Sequence, residues 1–107
     1  MEEDIFNRLF KVLEERKQAS PDSSYVARLM SKGAVKINSK ILEEAVEVCQ
    51  AALENDRGHL VYEISDLLFH AFVLASYRDI TIDEIRKEFE RRFGTSGLEE
   101  KAGRLNQ

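Results

Sequence analysis

Apolar residues along this chain recur at three- and four-residue intervals, and no stretch alternates with the period of two that a half-buried strand needs. Residues 3–18 carry Ile5, Phe6, Leu9, Val12 and Leu13 at helical spacing. ASPDSS (19–24) then interrupts the pattern with the chain's only proline, Pro21. Ser23 or Ser24 is placed to cap a short helix reaching Lys32, and Gly33 predicts its end. A third helix is predicted over about 34–54. ENDRG makes the next turn, with Asp56 as N-cap of a fourth helix over 57–78. In ITIDEI (80–85), Thr81 and Glu84 have capping-box spacing, and Ile80 and Ile85 that of a hydrophobic staple. They open a fifth helix expected to stop at Gly94, with a tail behind it. The pattern predicts an all-α bundle of about five helices, one domain over residues 1–107.

Charge and composition narrow the class. A third of the residues are charged, with a formal net charge of −4 and a pI near 5.2. That balance gives no electrostatic reason to bind nucleic acid or a membrane. The longest uncharged run in the apolar region, Leu67–Tyr77, is too short to cross a bilayer, and residues 1–20 lack a signal peptide's apolar centre. Cys49 is the only cysteine, so it has no partner for an internal disulfide and cannot build a zinc site alone. The expectation is a cytoplasmic protein.

The fourth helix changes the picture. Of the sixteen residues LVYEISDLLFHAFVLA (60–75), twelve are apolar or aromatic. The exceptions include Glu63, Asp66 and His70, which at 100° per residue share an arc of about 60°. An ionised carboxylate facing a dry core costs several kcal/mol, so this stripe must meet water, cations or partners. On the third helix, Lys40, Glu43, Glu44 and Glu47 share an arc of about 100°. Glu43 and Glu47 form a like-charge i,i+4 pair. A charged arc of that kind often serves only as a solvated face. The short link between the helices makes them antiparallel neighbours, however, so the two acid sets can approach. Hard oxygen donors from two facing helices suit Mg²⁺, or Mn²⁺, which retain water for substrate phosphates. A di-iron bundle would want Glu-x-x-His on two helices, and neither has it. Upstream, Arg28, Lys32, Lys36 and Lys40 recur every fourth residue. A helix break at Gly33 need not leave them in one stripe, but beside a cation site they supply positive charge for a polyphosphate. So apolar a helix exceeds what one small subunit covers easily, which points to a homodimer.

Glu43-Glu44-Ala-Val-Glu47 followed by Glu63-Ile-Ser-Asp66 resembles the metal motif of the MazG-like all-α nucleotide pyrophosphatases. The stretches EERKQASPDSSYVARLMSKG (14–33), YEISDLLFHAFVLA (62–75) and GTSGLEEKA (94–102) are similar to one branch, the phosphoribosyl-ATP pyrophosphatases of histidine biosynthesis. The similarity spans roughly residues 4–102, leaving no room for the cyclohydrolase often fused to that enzyme. It implies hydrolysis of phosphoribosyl-ATP to phosphoribosyl-AMP and pyrophosphate with Mg²⁺. By the resemblance, Glu44, Glu47, Glu63 and Asp66 are metal ligands and Glu43 orients or deprotonates the attacking water. Lys32, Lys36 and Lys40 bind phosphates, and His70 orients a ligand or touches substrate, unless it is an ordinary hydrogen-bonded core histidine. The chain departs from the branch where KINSKILEEA (36–45) stands for an expected KILKKVGEEA. Asn38 replaces leucine, Ser39 lysine and Leu42 glycine, which bears on substrate geometry and leaves the acid motif intact. Two other readings stay open: a house-cleaning nucleoside triphosphate pyrophosphatase on the same scaffold, and a helical interaction module whose acids only solubilise it.

Overall fold

A computed structural model of the chain describes residues 4–93, which form four helices and, among the described residues, no strand. Helix α1 spans Ile5–Arg16, α2 Tyr25–Ala51, α3 Arg57–Tyr77 and α4 Ile82–Phe93. The local start signals are in place. Ser24, not Ser23, caps α2 by accepting from the Ala27 amide at 3.2 Å, and Asp56 caps α3 by accepting from the His59 amide at 3.0 Å. Before α4, the Thr81 amide donates to Glu84 Oε2 at 2.7 Å and the Glu84 amide to Thr81 Oγ1 at 3.2 Å. Each bond satisfies an amide that a helix's first turn leaves without an internal partner.

The count is four and not five because the two helices expected on either side of Gly33 run together across a kink at that residue. Gly33 sits at φ 82°, ψ −177°, a region open essentially to glycine, and helical turns continue on both sides. The two helices expected on either side of Gly33 are therefore the arms of one element. The expected stop at Gly94 and the tail lie outside the described residues.

α2 and α3 pair as an antiparallel hairpin across the short link 52–56, and most tertiary packing lies between them. Leu13, Val26, Leu29, Ile37 and Val73 form the buried cluster, with Met30, Ile41, Phe69 and Tyr77 packed against it. α1 adds Phe10 and Leu13, and Phe6 and Phe10 flank Phe72 with ring centres 5.7 and 5.3 Å away. α4 buries none of its residues and lies at the edge, where Arg86 pairs with Asp4.

α3 is the apolar helix the sequence marked out. It is long and apolar enough to cross a membrane by length and composition alone. Against that use stand Glu63 and His70, both buried on it, and α2 packed along it. One chain leaves Val61, Tyr62, Ile64 and Leu68 of this helix exposed.

Candidate functional site

The hairpin brings the two acid sets together. Glu44 and Glu47 from α2 and Glu63 and Asp66 from α3 each offer a carboxylate oxygen, and these four oxygens all lie within 4.8 Å of one another. Two α2 residues three apart and two α3 residues three apart lie on adjacent turns, so the antiparallel pairing sets one row against the other. Glu44 and Glu63 are buried, at 4% and 8% exposure, while Glu47 and Asp66 are half-buried. A second grouping of Glu44 and Asp66 with His70 meets the same spacing.

The electrostatics of this cluster are unfavourable without a cation. Glu44 Oε2 and Glu63 Oε2 are buried and have no hydrogen-bond partner. Buried polar atoms are nearly always paired, so two orphaned carboxylate oxygens in one cluster are compatible with a cation between them. Burial, followed by the crowding of Asp66 and Glu47, pushes the Glu44 carboxyl from 4.5 up to about 7. All four donors are oxygens, a set that suits a hard divalent cation and does not suit zinc. The residues therefore fit a divalent metal.

Around the cluster the other expected residues take separate places. Glu43 stands at the rim, half exposed, and pairs with Lys40 Nζ at 3.1 Å; it is outside the group of four. Lys40 also lies 3.6 Å from Glu44 Oε1, so it bridges the rim and the cluster. His70 is 3% exposed. Its Nδ1 lies 2.8 Å from the Asp66 carbonyl oxygen and its Nε2 2.8 Å from the Tyr25 hydroxyl. The carbonyl only accepts, so Nδ1 carries the proton and Nε2 accepts from Tyr25. His70 is thus a buried, fully hydrogen-bonded histidine at the edge of the site.

The basic series comes together on one side of the cluster. Although Gly33 interrupts the helix, Lys32, Lys36 and Lys40 line one crevice of about 240 Å³ together with Arg28, Tyr25 and Leu29. Arg28 is anchored at one end, its Nε donating to the Pro21 carbonyl at 3.2 Å. Tyr25 and Lys40 are common to the crevice and to the surroundings of the acid cluster, so the cationic row leads directly to the carboxylates.

Two residues of the site escape a reading of the sequence. Tyr25 meets His70 across forty-five positions, a tertiary contact without a local signal. His59 Nε2 lies 3.1 Å from Glu63 Oε1, and this i,i+4 spacing on α3 was a signal that could have been read. Its pKa is raised, first by the hydrogen bond to Glu54 and then by Glu63.

Comparison with known proteins follows the same lines. The family model described as phosphoribosyl-ATP pyrophosphohydrolase matches residues 6–93. Curated proteins named phosphoribosyl-ATP pyrophosphatase are similar over nearly the whole chain. The one from Geobacter metallireducens is 51% identical over 102 residues, covering 95% of this chain and 94% of the relative. That from Rhodobacter capsulatus is 49% identical over 98 residues, covering 92% and 95%, and that from Azoarcus sp. is 45% identical over 103 residues, covering 96% of each.

Proposed function

This chain belongs to the phosphoribosyl-ATP pyrophosphohydrolase family, and from that premise we propose that it hydrolyses phosphoribosyl-ATP to phosphoribosyl-AMP and pyrophosphate, the second step of histidine biosynthesis. The bond broken lies between the α- and β-phosphates. Catalysis of this reaction consists mainly of positioning and of stabilising negative charge.

In this reading Glu44, Glu47, Glu63 and Asp66 hold a divalent cation, Mg²⁺ or Mn²⁺. When bound, the cation supplies Lewis-acid stabilisation of charge on the phosphoryl oxygens. The chain's own residues do the rest. Lys32, Lys36 and Lys40, with Arg28 beside them, bind phosphate oxygens along the crevice. Glu43 at the rim, open to solvent and next to Lys40, orients the attacking water and accepts its proton. His70 braces Asp66 from behind, with Tyr25 holding the imidazole. The observation that carries the reading is the meeting of four carboxylate oxygens within 4.8 Å, on a set of residues two of which, Glu44 and Glu63, carry a buried oxygen without a hydrogen-bond partner.

The whole chain acts as one domain in the cytoplasm, and two copies form a homodimer that covers the apolar face of α3 left open at Val61, Ile64 and Leu68. The test is pyrophosphate release from phosphoribosyl-ATP with Mg²⁺, in competition with ordinary nucleoside triphosphates. Preference for phosphoribosyl-ATP supports the assignment. Equal or better turnover of the common triphosphates transfers the chain to house-cleaning chemistry on the same scaffold, and no release from any nucleotide refutes the enzyme reading.

A further inference from the structure

Glu63 divides its two oxygens between different tasks. Oε2 is buried and unpartnered, whereas Oε1 lies 3.1 Å from His59 Nε2. The other ring nitrogen of His59, Nδ1, lies 2.7 Å from Glu54 Oε2, at the end of the hairpin where the chain leaves α2. Ionised carboxylates only accept hydrogen bonds, so both ring nitrogens donate. A ring fixed at both nitrogens cannot swing about its Cβ–Cγ bond without breaking one of the contacts. The His59 amide is itself tied to Asp56 Oδ1 at 3.0 Å, which fixes the backbone beneath the ring. Glu54, His59 and Glu63 therefore form a chain of contacts from the exposed turn to the buried carboxylates.

Resting on the reading of the four carboxylates as a cation site, we propose that His59 is a positioning residue: by holding Oε1 of Glu63 it aims the free Oε2 into the cluster. Without that contact the Glu63 side chain regains rotamer freedom, and its free oxygen can turn away from Glu44 and Asp66. Partners that orient a metal-binding side chain in this way typically change metal affinity by about 10- to 100-fold.

A competing account of the same contacts makes the opposite prediction. If His59 acts only as a positive charge near the cluster, it repels an incoming cation, and removing it tightens cation binding. Positioning and repulsion differ in sign, so one measurement separates them.

Mn²⁺ binding to the full chain is followed by electron paramagnetic resonance at fixed pH and protein concentration, for wild type, His59→Leu and His59→Gln. Glutamine keeps a side-chain N–H donor and removes the charge; leucine removes both. The expected result is binding at least about 10-fold weaker in His59→Leu and within about threefold of wild type in His59→Gln. Both variants should keep the wild-type melting temperature in chelator to within a few degrees, since His59 is about 40% exposed. Unchanged or tighter Mn²⁺ binding in both variants overturns the proposal. Equal weakening in both overturns it too, because the donor is then not what matters. A wild-type protein that binds no Mn²⁺ is a different failure: it removes the cation site, and this inference with it.

Discussion

Replacing Glu44 by glutamine should stabilise the metal-free protein, and by an amount that depends on pH. In the folded chain this carboxyl is raised from 4.5 to about 7 by burial and by Asp66 and Glu47. A raised acid keeps its proton in the folded state where the unfolded chain would release it. Its contribution to stability is therefore intact below pH 4.5 and falls as pH rises from 4.5 to about 7, then levels off. The difference between those two pKa values corresponds to roughly 3 kcal/mol, an upper bound because the neighbouring acids relax when one of them ionises. Glutamine is nearly isosteric and never ionises, so Glu44→Gln should match wild type near pH 4.5 and exceed it by about 1–3 kcal/mol at pH 8. For a domain of this size that is a rise in Tm of several degrees. The assay is urea or thermal unfolding with EDTA at a series of pH values and at one fixed protein concentration, since dissociation of a dimer is coupled to unfolding. Mn²⁺ at 100 times its Kd should reverse the order, adding about 2.7 kcal/mol to wild type and much less to the variant. A stability difference that stays flat from pH 4.5 to 8 would refute the argument, as would a variant less stable than wild type at pH 8 in EDTA.

Other expectations concern the surroundings of the cluster. Lys40→Glu should raise KM for phosphoribosyl-ATP at least about 10-fold, because it reverses charge in the crevice and breaks the contacts to Glu43 and Glu44; steady-state kinetics at saturating Mg²⁺ with KM and kcat both unchanged would return Lys40 to a solvated-face role. Gly33→Ala should cost about 1–3 kcal/mol in urea unfolding, since only the backbone region is at issue and an added Cβ would meet the Tyr77 hydroxyl at an ordinary 3.6 Å. Sedimentation at micromolar concentration should find a dimer or larger species, and Leu68→Asp should disrupt it; a wild-type monomer with full activity would contradict the covered α3 face.

Local signals in this sequence were more legible than tertiary ones. Asp56 and the Thr81–Glu84 pair could be placed, and the cap of α2 narrowed to Ser23 or Ser24, because a cap depends on residues two or three positions away. The acid cluster was legible for a related reason: both pairs lie three apart on helices joined by a short link, so periodicity almost determines their meeting. What Gly33 does to the chain could not be read in the same way. A glycine that ends a helix and one that inserts a single non-helical step look alike in sequence, and the gathering of lysines from both sides of Gly33 along one crevice is a tertiary outcome. Tyr25 on His70 is a contact between elements far apart in the chain, and no local rule reaches it.

All four clustered carboxylates come from one hairpin, Glu44 to Asp66, closed by the short link 52–56. Closing so short a loop costs little chain entropy, and contacts this near in sequence form early in folding. On that ground we expect the acids to meet already in the transition state and not only at the end. Repulsion among them should then raise the barrier to folding, and relieving it in metal-free protein should speed refolding more than it slows unfolding, which stopped-flow chevrons measure directly. A divalent cation present while the chain folds would then act on the rate at which the hairpin closes as well as on the finished protein.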